Sequence, residues 1–334
     1  MACSCPDLMT DTPSTEPVAT PACAPSAVAV QRQMRRLARM PEAPWLHQEV
    51  ARRLADKLAP IRLMPRDWID WSAHLGAGAA LVQARYPEAR RWVVEPHPAL
   101  AERSTQTEAK AREAAPRSWL GLWRRPDAAS AVHTEPVSSQ APWLAPTGGG
   151  ERGAHMLWAN MALHGASDLP GLLASWHKHL AVDGFLMCSG LGPDTARELR
   201  SVYRALGWPL PTIDFIDMHD LGDELVRAGF ADPVMDMERL TLTWASPEAM
   251  LAELRTWGGN VAHARFAGWR TPAWRERLLL AIGQHMRTPD GRIALTLELV
   301  YGHAIKPVPR AKLAAETRVP LDDLRQMVRK KGQP

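Results

Sequence analysis

The sequence predicts an α/β fold built on a doubly wound, mostly parallel sheet. Three observations carry this. Residues 67–96, DWIDWSAHLGAGAALVQARYPEARRWVVEP, read as strand, glycine turn, helix, strand. From residue 155 onward, short apolar runs alternate with helical patterns, as βαβ units do. Two β-runs, 234–244 and 293–306, then come late in the chain and suit an antiparallel pair at the sheet edge.

Taken in order, the chain opens with MACSCPDLMTDTPSTEPVATPACAPSAVAV. It lacks the basic start and apolar core of a secretory signal, and its Pro, Thr, Ser and Ala content predicts a disordered tail over residues 1–27. Residues 28–39 form a basic amphipathic helix. WLHQEVARRLADKL then places Leu46, Val50, Leu54 and Leu58 on one helical stripe, with Pro44 near its start. Pro60 and Pro65 close that helix. Trp68, Ile69 and Trp71 make the first strand, and His74-Leu75-Gly76-Ala77-Gly78 the glycine turn. Pro87 ends the next helix, and residues 91–94 form a second strand closing on Glu95.

A polar helix runs from 98 to about 115. Residues 116–153 read as an irregular insertion around a short third strand near 131–137. Its two Trp-Arg clusters are better suited to covering a sheet edge than to binding nucleic acid. HMLWAN is a buried fourth strand ending at Asn160, followed by a helix over 170–180 capped by Ser167 or Asp168. AVDG turns into the apolar fifth strand at 185–190. Helices follow at 193–206, 221–228, 247–257 and 272–286, the second ending at Gly229. The folded domain spans 28–306, and residues 307–334 form a C-terminal tail.

Composition sets the outer bounds. The 334 residues are 46% hydrophobic, enough for a sizeable core. No apolar run approaches the ~20 residues of a membrane span. Cys3, Cys5 and Cys23 lie in the tail and Cys188 stands alone in an apolar run, so neither a metal site nor a disulfide framework is expected. That usage suits a reducing cytoplasm. The net charge of +4 admits an acidic partner without requiring one.

The chemistry concentrates in 67–96. A glycine turn after a first strand, with an acid at the tip of the second, is how α/β folds bind adenosine-type ligands. Gly76 and Gly78 let the backbone approach the ligand, and Glu95 accepts from the ribose hydroxyls. Its spacing from Gly76 is close to the ~20 residues such an acid takes.

Several segments then resemble class I S-adenosylmethionine-dependent methyltransferases. HKHLAVDGFLMCSG resembles their turn and fifth strand, and MHDLGDELVRAGFADPVMD their following helix and sixth strand. LWANMALHGASDLPGLLASWHKHL, ELRTWGGNVAHARFAGWR and QEVARRLADKL are similar, more narrowly, to the malonyl-acyl-carrier-protein O-methyltransferases of biotin synthesis. The similarity covers roughly residues 28–306. It implies a Rossmann-like seven-stranded sheet with an antiparallel edge strand, S-adenosylmethionine as cofactor, and a malonyl group on acyl carrier protein as partner and substrate.

The resemblance further implies cofactor contacts at Asp70, His74, Gly76, Gly78, Glu95 and Asn160. It puts Arg265, His263 and Arg270 on the substrate side, holding the acceptor carboxylate. An acidic carrier would meet a basic surface built by Arg32, Arg35, Arg36 and Arg39 with Arg265 and Arg270. Departures are visible too. The turn after Asp70 is two residues longer than the family's, His74 stands where its first glycine belongs, and no tyrosine precedes Tyr86. No clear acid ends the third strand. An active methyltransferase, a methyltransferase-fold binding protein and a methyltransferase for another small acid all remain open. Whether the turn leaves the pocket intact or collapses onto it separates the first two.

Overall fold

The computed structural model describes residues 24–114, 132–134, 141–145 and 152–309. Seven strands, β1 (Asp67–Trp71), β2 (Arg90–Glu95), β3 (Val132–Thr134), β4 (Ala154–Ala159), β5 (Leu180–Leu191), β6 (Ala231–Trp244) and β7 (Ile293–Ile305), form one sheet in the order β3-β2-β1-β4-β5-β7-β6. β7 runs antiparallel to both β5 and β6, while β1 to β5 pair in parallel. The chain steps outward from β1 to β3, then returns to lay β4 on the other side of β1. The strand order therefore reverses between β1 and β4, where open α/β sheets bind their ligands.

Helices α1 (Ala27–Leu37), α2 (Trp45–Asp56), a single turn α3 (Ala73–Gly76), α4 (Ala79–Arg85), α5 (Pro98–Ala114), α6 (Leu169–His179), α7 (Arg197–Ala205), α8 (Met218–Arg227), α9 (Pro247–Thr256) and α10 (Pro272–His285), with two short 3-10 helices at Pro142–Leu144 and Leu163–Gly165, complete the elements of the described residues. None is long and apolar enough to cross a membrane. Asp168, not Ser167, caps α6, accepting from the backbone N–H of Gly171 at 3.0 Å.

Strand alternation divides the core between the two faces of the sheet. Trp68 joins the cluster holding Val50 and Leu54 of α2, Val82 of α4 and Ile282 of α10. Ile69 and Trp71 join the opposite cluster, with Leu173 and Trp176 of α6 and Leu225 of α8. The buried Trp143 packs there against Trp92 and His133, with ring centroids 5.6 and 4.8 Å away. Both Trp-Arg clusters of the insertion lie outside the described residues, as do 1–23 and 310–334 of the two tails.

Two boundaries differ from the sequence reading. Residues 24–26 are tied to the domain: Ser26 N–H donates to Val261 O at 2.7 Å and His263 N–H to Ala24 O at 2.8 Å. β5 begins at Leu180, because AVDG continues the strand through an irregularity with Asp183 at φ 62° instead of leaving it as a turn.

Candidate functional site

The glycine turn is compact. The backbone enters the left-handed region at Ser72 (φ 58°, ψ 47°), makes the turn α3, and leaves through Ala77 (φ 51°, ψ 20°) into α4. Ser72 N–H donates to Val94 O and Gly76 N–H to Ser72 O, each at 2.7 Å. The extra length read in the sequence is thus spent on a closed helical turn. Leu75 at its centre packs with Leu37 of α1 and Leu100 of α5.

This turn folds onto Glu95. The His74 N–H donates to Glu95 Oε1 at 2.8 Å, and the Ser104 hydroxyl of α5 donates to the same oxygen at 2.5 Å. Glu95 is fully buried and its Oε2 has no partner. Burial pushes its carboxyl up to about 7, against the two hydrogen bonds that favour ionisation.

The other residues expected to meet the cofactor are equally enclosed. Asp70 is buried and bound to Arg91 at 2.7 Å, which in turn reaches Glu108 at 2.6 Å. Burial raises the Asp70 carboxyl, and Arg91 opposes that rise. Gly78 is a packing glycine, since a Cβ there would stand 2.2 Å from Trp158 Nε1. A Cβ on Gly76 would make only ordinary contacts. Asn160 donates from Nδ2 to His47 O at 2.8 Å and to Gly76 O at 2.7 Å, while its Oδ1 accepts from Ser189 at 2.7 Å. It is a clasp joining β4, β5, α2 and the turn.

Beside these residues a cavity of about 900 Å³ opens at the tips of β1, β2 and β4. Trp71, Ser72 and Leu75 wall it on the β1 side, His97 and Glu102 beyond β2, and Met161 and His164 after β4. Helix α1 covers it with Val30, Met34 and Arg35, and His47 reaches it from α2. A second hollow of about 640 Å³ lies on the far side of α1, lined by Arg32, Arg36, Arg265, Phe266, Trp269 and Arg270. Gln33 borders both.

Compared with known proteins, the chain is 36% identical over 289 residues to a malonyl-[acyl-carrier protein] O-methyltransferase of Laribacter hongkongensis, covering 86% of this chain and 89% of that protein. It is 34% identical over 266 residues to the protein of that name from Gallionella capsiferriformans, covering 79% and 85%. The chain belongs to the malonyl-[acyl-carrier protein] O-methyltransferase family. No protein-family profile matches it. Solved structures with a similar trace include YcgJ of Bacillus subtilis, at TM-score 0.49, 10% identity and 77% and 98% coverage of the two chains. Another is a Haemonchus contortus phosphoethanolamine N-methyltransferase crystallised with S-adenosylhomocysteine, at TM-score 0.41, 12% identity and 77% and 52% coverage.

Membership makes S-adenosylmethionine the cofactor to set against this methyltransferase's cavity. Position and size fit: the space sits at the strand-order reversal and has the volume of a small-molecule site. The acid that lines it beyond β2 is Glu102, whereas Glu95 was the acid expected there. Asp70, Gly76, Gly78, Glu95 and Asn160 do not line the cavity, and His74 meets it no better, its backbone being committed to Glu95. The extra helical turn brings its own N–H to Glu95 Oε1, while Oε2 is left without a partner.

His263, Arg265 and Arg270 are also absent from the cavity wall. His263 has an exposed side chain and serves through its backbone, while the two arginines face the hollow beyond α1. Arg35 is the arginine that lines the cavity among the described residues. Sequence reasoning passed over His47 and Glu102. His47 could have been found, because it shares the buried stripe of α2 with Val50 and Leu54.

Proposed function

We propose that this chain methylates the free carboxylate of a malonyl thioester carried on acyl carrier protein, an early step of biotin synthesis, with S-adenosylmethionine as donor. The observation that carries the reading is the family relationship over most of the chain, joined to an open cavity at the strand-order reversal. The cofactor supplies a methyl group already activated on a sulfonium. The acceptor carboxylate is nucleophilic at neutral pH without a base, so the protein's task is alignment and exclusion of water.

In this reading Glu102 accepts from the ribose hydroxyls in place of Glu95. It lines the β2 end of the cavity and makes no hydrogen bond or ion pair among the described residues. Arg35, on the covering helix, holds the malonyl carboxylate, a task suited to a planar guanidinium. The arginine-lined hollow on the other side of α1 receives the acidic carrier, and Gln33 marks where the two spaces meet.

Incubation with methyl-labelled S-adenosylmethionine and malonyl-acyl carrier protein tests the reading, label in the carrier-bound ester being the expected result. One observation, the sealing of Glu95 by His74, favours the second reading of a binding protein without turnover. S-adenosylhomocysteine binding with no labelled ester would select it.

A further inference from the structure

His47 reaches the cavity from α2 on the side where β1 and β4 diverge. Its Nδ1 lies 2.9 Å from the carbonyl oxygen of Leu75. A carbonyl only accepts, so Nδ1 carries the ring hydrogen. Burial holds the imidazole pKa down at about 4, so the ring is neutral at physiological pH and Nε2 presents a lone pair. That nitrogen is buried and has no partner.

The ring is held firmly. Leu75 O grips it from the turn, and Asn160 ties the His47 backbone carbonyl to β4. His164 faces it edge-on, with ring centroids 6.5 Å apart at 90°, and its own Nδ1 is also unpartnered. A rigid buried acceptor without a donor is costly, and at a cavity wall it marks where a ligand brings one.

The chemistry of the ligand narrows which donor that is. A malonyl carboxylate offers only acceptors and would set lone pair against lone pair. The sulfonium bears no N–H or O–H. Ribose hydroxyls and the adenine amine belong toward β2, where Glu102 stands. The α-ammonium of the methionyl end remains. We infer that Nε2 of His47 accepts a hydrogen bond from the α-ammonium group of the bound methyl donor, fixing its amino-acid end at the β1–β4 side of the cavity. The inference rests on the donor-site reading above and adds a contact that reading does not need.

Calorimetric titration with two ligands tests it: S-adenosylhomocysteine, which has the ammonium, and 5′-methylthioadenosine, which lacks the amino-acid end. His47→Leu should weaken the first by roughly 10- to 100-fold, the worth of a hydrogen bond to a charged group, and leave the second unchanged. His47→Gln, which restores an acceptor oxygen, should bind both ligands within a few-fold of wild type. In unmodified protein, the His47 Nε2 resonance in ¹⁵N NMR should move upfield on adding S-adenosylhomocysteine and stay put with 5′-methylthioadenosine. That measurement holds even if the leucine variant misfolds. Equal losses for both ligands, or an unmoved Nε2 resonance, would overturn the contact while leaving the donor site standing. Wild-type protein that binds neither ligand would overturn the donor-site reading and the inference together.

Discussion

Glu95→Gln isolates the cost of a buried carboxyl. Glu95 is fully buried, and its carboxyl is carried from 4.5 to about 7, chiefly by burial. Between those values the folded protein keeps a proton that the unfolded chain has released. Stability from this group is therefore whole below about pH 4.5 and is lost as pH rises through 7. A displacement of that size corresponds to roughly 3 kcal/mol. Glutamine keeps one oxygen for the His74 and Ser104 donors and cannot ionise. Urea unfolding of both proteins at a series of pH values, compared as a difference, cancels the other titrating groups. The variant should gain on wild type from near zero at about pH 4.5 to roughly 3 kcal/mol by about pH 8. Parallel curves would mean that Glu95 ionises freely in the folded state, and the sealed turn would be refuted. The same variant should bind S-adenosylhomocysteine as wild type does, since its carboxyl does not line the cavity.

Three further outcomes are expected. Gly78→Val drives a side chain into Trp158, so calorimetric melting should show a loss of about 1–3 kcal/mol, with ligand affinity of the folded protein kept. Glu102→Ala should weaken S-adenosylhomocysteine by about 1–3 kcal/mol in a direct titration, the cost of leaving hydrogen-bonding groups unpaired. Arg32→Glu combined with Arg270→Glu should raise KM for the carrier by about tenfold and flatten its salt dependence, with kcat unchanged in steady-state assays.

The strand and helix order was legible because each element carries its own period and punctuation. Pro87 ends α4, Asp168 caps α6, and the alternating run of β6 reads as a half-exposed strand. The site was legible only to the level of its neighbourhood. An acid at the right distance from Gly76 says nothing about which way its carboxylate turns. That depends on a backbone N–H two residues into the turn and on the Ser104 hydroxyl, one helix later. Ser72 and Ala77 take left-handed conformations unusual for their residue types, so no local preference announced α3. Arg265 and Arg270 were placed by the segment they sit in. The path of that segment along the outer side of α1 carries them to the hollow instead of the cavity. His47 was legible as a member of the buried stripe of α2, but the carbonyl of Leu75 that orients its ring was not.

The insertion of β7 between β5 and β6 governs when the domain can be finished during synthesis. β6 is complete by Trp244, yet its one neighbour in the sheet among the described residues arrives with Ile293–Ile305. Until the ribosome has delivered that last strand, β5 and β6 each present a row of unpaired amides, and the apolar side chains of β7 are missing from both faces of the core. In the other half of the sheet, β1, β2 and β4 have all their paired strands by Leu191, although β7 still completes the core on both of their faces. A nascent chain stopped before residue 293 would thus hold a nearly formed cavity beside two sticky edges, the state in which a chaperone would find it.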